Sequence, residues 1–273
     1  MKIFENKVAV VTGGAGVLCS AFAHALSENG ARVAVLDLNY DAAKKVADEI
    51  GGIAVEANVL DKESLENARK TVNEKLGTCD ILINGAGGNN PKGTTTKDYF
   101  DPKDLEDSEI KTFFDLDPKG VEFVFNLNFL GTLMPTQAFA QDMIGKKDAV
   151  IINVSSMNAF CPLTRIPAYS GAKAAVSNFT AWLAVHFSKV GIRVNAIAPG
   201  FFLTAQNHKL LMNEDGTYTQ RSEKILSQTP MGRFGKPEEL LGTLIFLADS
   251  SKSSFVNGVV IPVDGGFNAY SGV

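Results

Sequence analysis

Short apolar runs rich in β-branched residues alternate with longer stretches whose apolar positions recur every three or four residues, along the whole chain. The short runs predict strands at Lys7–Thr12, Arg32–Asp37, Gly52–Asn58, Asp80–Asn84, Ala149–Val154, Arg193–Ala198 and Val259–Val263. The longer ones predict helices at Val17–Glu28, Tyr40–Ile50, Asp61–Leu76, Phe125–Ile144, Tyr169–Val190 and Pro237–Ala248. Most of the strands are apolar nearly throughout, as strands buried on both faces are. Parallel neighbours need a covering crossover, so the fold class is α/β, a doubly wound parallel sheet of about seven strands with helices on both faces. No repeat, low-complexity tract or linker divides the chain, and a single domain over residues 1–273 is expected.

Two stretches break the rhythm, at about 88–120 and 201–236. Both are expected to line a binding site, because long loops inside a compact domain are usually functional or disordered. From Asp101 to Asp117 the first holds seven acids against two lysines. That part reads equally as a solvated face or a short surface helix.

Composition narrows the function classes. With 273 residues, 45% of them apolar, the chain can bury a large core. Its net charge of −4, without a basic stripe, argues against nucleic acid or an anionic membrane as partner. Neither a signal-peptide core nor a run of about twenty apolar residues is present. Cys19, Cys79 and Cys161 are too far apart in sequence for a CxxC motif and suit reduced thiols in a cytoplasmic protein. His24, His186 and His208 are scattered, so no metal site is expected.

Chemistry enters at the first turn. Thr12-Gly13-Gly14-Ala15-Gly16-Val17-Leu18-Cys19 links the first strand to the first helix, and Asp37 closes the second strand. Glycines there let backbone approach a pyrophosphate, whose charge the helix N-terminus favours. Asp37 is placed to accept hydrogen bonds from the adenosine ribose and to repel a 2′-phosphate, so NAD is favoured over NADP. The expected domain is therefore a Rossmann-type dinucleotide-binding one.

Three Tyr-x-x-x-Lys pairs occur: Tyr40/Lys44, Tyr99/Lys103 and Tyr169/Lys173. The first has Ser27 thirteen residues before it, just as Tyr169 has Ser156, so spacing alone cannot choose. Ser27, however, lies near a helix end at the opposite sheet edge from Tyr40. Tyr99 lies in the polar insertion. Only Ser156, at a strand's carboxyl end, and Tyr169, in the first turn of a helix opened by Pro167, share the edge where ligands bind in such sheets. A phenol titrates near pKa ~10, so acting near pH 7 asks for ~4 kcal/mol. An ammonium ~5 Å away supplies about 3 kcal/mol, and a positive nicotinamide the rest.

These features, with Asn84-Gly85-Ala86-Gly87, Leu127-Asn128-Phe129-Leu130-Gly131, Pro199-Gly200 and Val263-Asp264-Gly265-Gly266, resemble the short-chain dehydrogenase/reductase family nearly end to end. Val17 and Cys19 stand where that family usually has glycine, so Gly14 and Gly16 are expected to supply the turn. Asn58 stands where it usually has an Asp against adenine. The resemblance implies an alcohol–ketone oxidoreductase in which Tyr169 moves the proton and Ser156 holds the carbonyl oxygen. Lys173 would tune Tyr169, and Asn128 would hold a water linking Lys173 to solvent. The expected cofactor-binding set is Gly13, Gly16, Val17, Leu18, Asp37, Leu38, Asn58, Val59, Asn84, Ala86, Gly87, Tyr169, Lys173, Pro199, Gly200 and Phe202. A homotetramer is implied by the resemblance alone, through the helix bearing Phe179, Trp182 and Phe187.

For the substrate, Gly88 to Lys97 is polar and suits a polyol and an anion better than an acyl chain. Asn90, Lys92 and Arg165 are the candidates, Arg165 as a bidentate carboxylate clamp four residues before Tyr169. His208 and Lys209 are further groups. The turn and the insertion are similar to the D-mannonate oxidoreductase (fructuronate reductase) branch of the family, which implies a small sugar-acid substrate. The alternatives are a 3-oxoacyl-carrier-protein reductase, another sugar or polyol dehydrogenase, and a non-catalytic NAD-binding sensor.

Overall fold

The computed structural model describes residues 2–204 and 207–272. Among them, seven strands form one parallel sheet: β1 (Val8–Thr12), β2 (Arg32–Asp37), β3 (Ile53–Glu56), β4 (Ile81–Asn84), β5 (Ala149–Val154), β6 (Ile192–Pro199) and β7 (Val260–Val263). Their order is β3-β2-β1-β4-β5-β6-β7. The winding reverses between β1 and β4, and the crevice outside the strands' carboxyl ends at such a switch point is where open α/β sheets bind ligands.

Helices α1 (Val17–Glu28), α2 (Tyr40–Ile50) and α3 (Lys62–Lys75) follow the first three strands. Next come α4 (Pro118–Phe125), α5 (Gly131–Phe139), α6 (Pro167–His186), α7 (His208–Leu211), α8 (Gln220–Ser227) and α9 (Leu241–Ala248). Successive strand side chains point to opposite faces. Ala9, Val11, Val33 and Val35 pack with Phe22 and Leu26 of α1 and Leu244 and Leu247 of α9. Val8, Val10, Ala34 and Leu36 pack on the other face with Leu65 of α3, Phe139 of α5 and Leu183 of α6. Local chemistry marks the ends: Asp61 caps α3 by accepting from Ser64 N, and Gly51 ends α2 with φ +64. No helix among the described residues is long and apolar enough to cross a membrane.

One expectation needs correction. The helix predicted over Phe125–Ile144 is instead α4 and α5 joined by a π turn at Asn126–Leu130. Pro135 lies inside α5 and has no N–H to give the Gly131 carbonyl, so the helical ladder is already interrupted there. The turn-rich stretch at 88–120 carries 3₁₀ turns at Pro91–Gly93, Pro102–Glu106 and Phe113–Asp115 that lead into α4. Its acids serve as local caps, since Asp101, Asp115 and Asp117 each accept backbone N–H groups. The second stretch likewise contains α7 and α8.

Buried polar side chains tie the sheet to its helices near the carboxyl edge. Asn84 Nδ2 donates to Thr136 Oγ1 and to Asn153 Oδ1, both at 2.9 Å, and Asn153 Nδ2 donates to Thr180 Oγ1 at 2.9 Å. All four residues are at most 2% exposed. Replacing Asn153 with Leu leaves the Asn84 amide and the Thr180 hydroxyl without those partners. The variant is expected to lose about 2–4 kcal/mol of stability in urea unfolding, whereas an unchanged midpoint would contradict the network's role.

Candidate active site

The turn after β1 brings backbone against backbone. Gly13 has φ +62, and a Cβ there would stand 2.8 Å from the Ala86 Cα in the loop after β4. Gly16 is the extended N-cap of α1, at φ −69 and ψ 153, and Val17 is already helical. The left-handed residue of the turn is thus Gly13, rather than Gly14 or Gly16. Val17 and Cys19 lie inside α1, where glycine's freedom is not required. Cys19 instead fills the space left by Gly85, because a Cβ on Gly85 would sit on its Sγ. Burial pushes the Cys19 thiol up to about 12, so it is a neutral packing group.

At the end of β2 the Asp37 carboxylate is preset. Its Oδ2 accepts from Ala15 N at 3.1 Å and its Oδ1 from Asn39 N at 3.0 Å. Ala15 carried no sequence signal for this role, because the contact spans 22 residues. Asn58 lines the same cleft, with its Oδ1 accepting from Leu60 N at 3.0 Å.

The other end of the cleft holds the reactive groups. β5 delivers Ser156 just past its carboxyl end, and α6 delivers Tyr169 and Lys173 one turn apart. Lys173 is 4% exposed, and its Nζ donates to the Val154 carbonyl at 2.8 Å. The same Nζ lies 5.7 Å from the Tyr169 ring centroid. Burial pulls the Lys173 ammonium down to about 8. Burial also raises Tyr169, and the Ser156 hydroxyl opposes that rise only in part. In the protein alone the phenol is therefore held above its ordinary value, because removing a phenolate from water costs more than the hydrogen bond with Ser156 returns.

Gly13, Gly16, Val17, Leu18, Asp37, Leu38, Asn58, Val59, Ala86, Gly87, Ser156, Tyr169, Lys173, Pro199 and Gly200 line one cleft of about 660 Å³. Six expected residues do not. Asn84 is buried in the polar network beneath the cleft floor. Phe202 lines a separate cavity of about 90 Å³ with Phe201 and Arg233. Asn128 is fully buried, with its Nδ2 donating to the Gly88 carbonyl at 2.7 Å and the Val124 carbonyl at 2.8 Å, and its Oδ1 accepting from Gly88 N at 3.3 Å. Its carboxamide is committed to backbone, so the Asn128 side chain positions the Gly87–Gly88 loop. Arg165 is turned to Asp98, with Nε donating at 2.5 Å.

The remaining substrate candidates also face elsewhere. Asn90 caps the turn at Pro91 by accepting from Lys92 N at 2.9 Å, and Lys92 pairs with Asp117 at 3.7 Å. His208 is exposed on α7, and the Lys209 side chain lies outside the described residues. Sequence reading missed Val154, whose carbonyl holds Lys173, and Ser155, whose Oγ donates to the Lys173 carbonyl at 3.2 Å. Among the described residues no three His, Cys, Asp or Glu side chains gather as a metal would need.

The cleft fits a dinucleotide. It runs from a fixed carboxylate, past a turn whose backbone no side chain can crowd, to a phenol and a buried ammonium. Comparison with known proteins agrees: the short chain dehydrogenase family matches residues 7–215. The chain belongs to that family. It is 62% identical to an uncharacterized oxidoreductase of Haemophilus influenzae, over 98% of this chain and 95% of that one. A crystal structure from Haemophilus influenzae, provisionally called a D-mannonate oxidoreductase and holding bound NAD, superimposes with a TM-score of 0.94 at 60% identity, covering 98% of this chain and 97% of that one. A 3-oxoacyl-[acyl-carrier-protein] reductase of Synechocystis is 32% identical over 97% of this chain and 98% of that one.

The depressed Lys173 has a stability consequence. Unfolded, this lysine keeps its proton to near 10.5, whereas folded it loses it around 8. The unfolded state binds more protons in that window, so stability contributed here rises with pH through it. In the ligand-free protein, wild type is expected to gain stability relative to Lys173→Met between pH about 8 and about 9.5 in urea titrations. Parallel curves would contradict the burial of a chargeable Lys173.

Proposed function

We propose that the protein is an NAD-dependent oxidoreductase interconverting a sugar-acid secondary alcohol and its ketone, with D-mannonate and D-fructuronate as the pair. The observation that carries this reading is the single cleft joining Asp37 to Ser156, Tyr169 and Lys173. The name and the bound NAD of the 60% identical Haemophilus structure support both substrate and cofactor. Bound there, the nicotinamide supplies a hydride acceptor or donor at its C4 carbon. Everything else falls to the chain's own side chains.

In oxidation, Tyr169 Oη takes the alcohol proton as the C–H bond breaks, and in reduction it returns that proton to the carbonyl oxygen. Ser156 donates a hydrogen bond to the same oxygen, where negative charge develops. Lys173, held by Val154, keeps a positive charge under the Tyr169 ring. Burial holds the phenol protonated in the free protein, so phenolate formation in the oxidative direction depends on positive charge arriving with the oxidised cofactor. Asp37 accepts from the ribose hydroxyls, and its negative charge disfavours a 2′-phosphate.

A 3-oxoacyl reductase is the second reading, favoured by the 32% identical relative. Retention of Ser156, Tyr169 and Lys173 together speaks against a non-catalytic sensor. The subunits are proposed to form a homotetramer through α6, where Phe179, Trp182 and His186 stack in sequence, Phe129 of the π turn meets Phe179 edge-on, and Trp182 is 56% exposed. Cytoplasmic residence suits the three free cysteines.

NADH oxidation with D-fructuronate is the expected activity, and turnover of a 3-oxoacyl thioester alone would replace this reading with the second. Tyr169→Phe is expected to cut kcat by roughly 10²–10⁴ with NAD binding retained in calorimetry. Asp37→Ser should narrow the preference for NAD over NADP by at least about tenfold in kcat/KM, and an unaltered preference would remove Asp37 from cofactor selection.

A further inference from the structure

A second cavity of about 440 Å³ lies beside the reactive end of the cleft. Gly200 lines the cleft, and the next residue, Phe201, lines the cavity. Leu163, Thr164 and Arg165 form another wall shortly before Tyr169, and α8 contributes Arg221 and Lys224. The lining thus carries three cations and one acid, Asp98, which comes from the polar insertion. That acid is seated like a bound ligand. Thr164 Oγ1 donates to its Oδ1 at 3.0 Å, Arg165 Nε donates to the same oxygen at 2.5 Å, and Lys224 Nζ donates to Oδ2.

The seat is held firmly in place. Arg165 has φ +69, a left-handed conformation costly for a side chain of this kind, and its carbonyl accepts from Thr95 N of the insertion at 2.9 Å. Asp98 is only 16% exposed, whereas Arg165 and Lys224 are 44% and 60% exposed. The donors are therefore open to solvent on the side that their carboxylate partner does not cover. Its cationic partners hold the Asp98 carboxyl down to about 2, so it is charged throughout the physiological range and competes as an anion.

We propose that Thr164, Arg165 and Lys224 form the seat for the substrate's carboxylate, and that Asp98 is an internal stand-in which that carboxylate displaces. This rests on the reading of the cleft as a sugar-acid site and deepens it. A neutral polyol has nothing to exchange for Asp98 and leaves the seat closed. A hexonate brings its own carboxylate, and the insertion bearing Asp98 is released as the acid binds. Selectivity for acids over sugars of the same length then comes from an exchange of partners at preset donors, and Arg221 in the same wall lies ready to receive the displaced Asp98. Because an occupied seat lowers apparent affinity by the fraction of open protein, removing the stand-in should tighten acid binding.

The test uses the full chain saturated with NAD, with D-mannonate and D-mannitol titrated calorimetrically into wild type, Asp98→Asn and Lys224→Gln. Asp98→Asn is expected to bind D-mannonate about threefold or more tightly than wild type, and Lys224→Gln about tenfold more weakly, with D-mannitol affinity unaltered in both. Unchanged or weaker D-mannonate binding in Asp98→Asn would overturn the stand-in, as would equal shifts for the acid and the polyol. The reading is by binding and so is separate from turnover. Loss of D-fructuronate reduction with these affinity shifts intact sinks the substrate assignment and keeps the seat. Normal reduction with no shift does the reverse. Lys224 lies on an exposed helix, so its variant reports on the seat even where Asp98→Asn unfolds the insertion.

Discussion

An ammonium that water barely reaches must be held against something, and in this fold it is held by the last carbonyl of a central strand. The Lys173–Val154 hydrogen bond joins α6 to β5 at the point where the sheet ends, and Ser155 ties the same two elements through the Lys173 carbonyl. Tyr169, one turn earlier on the same helix, takes its place from that anchor. The loop after β4 is shaped by it too. A Cβ on Gly87 would stand 2.7 Å from Asn128 Oδ1 and 3.2 Å from Lys173 Nζ, so only glycine lets the chain pass between them. Asn128 then grips the next residue through both Gly88 N and Gly88 O.

Burial sets the chemistry as firmly as it sets the geometry. Both groups of the Tyr169–Lys173 pair are pushed toward their neutral forms, the phenol upward and the ammonium downward. Burial thus favours the protonated phenol in the protein alone. At the opposite end, two backbone N–H groups fix the Asp37 carboxylate.

Arg165 stands just before α6, in the segment that leads to Tyr169. Its partnership with Asp98 ties the polar insertion to that segment. The same stretch is held by its own acids, which serve as caps at two short turns and at the start of α4, and by Lys97 on the buried Asp104. Acid-rich sequence that reads as a solvated face is here used for local caps.

The strands, the sheet class and the Ser156–Tyr169–Lys173 set were legible in the amino-acid sequence, because each rests on short-range signals: β-branched runs, Pro167 opening a helix, and spacing on one helix face. Asp37 was legible for the same reason, being the terminal residue of a strand after a glycine turn. Only the tertiary structure decided what those groups face. Asp98 meets Arg165 across 67 residues and Lys224 across 126, and no local pattern encodes such pairs. The committed carboxamide of Asn128, the fit of Cys19 against Gly85 and the upward shift of Tyr169 are likewise products of packing density and excluded water. Those quantities exist only once distant segments have closed on one another.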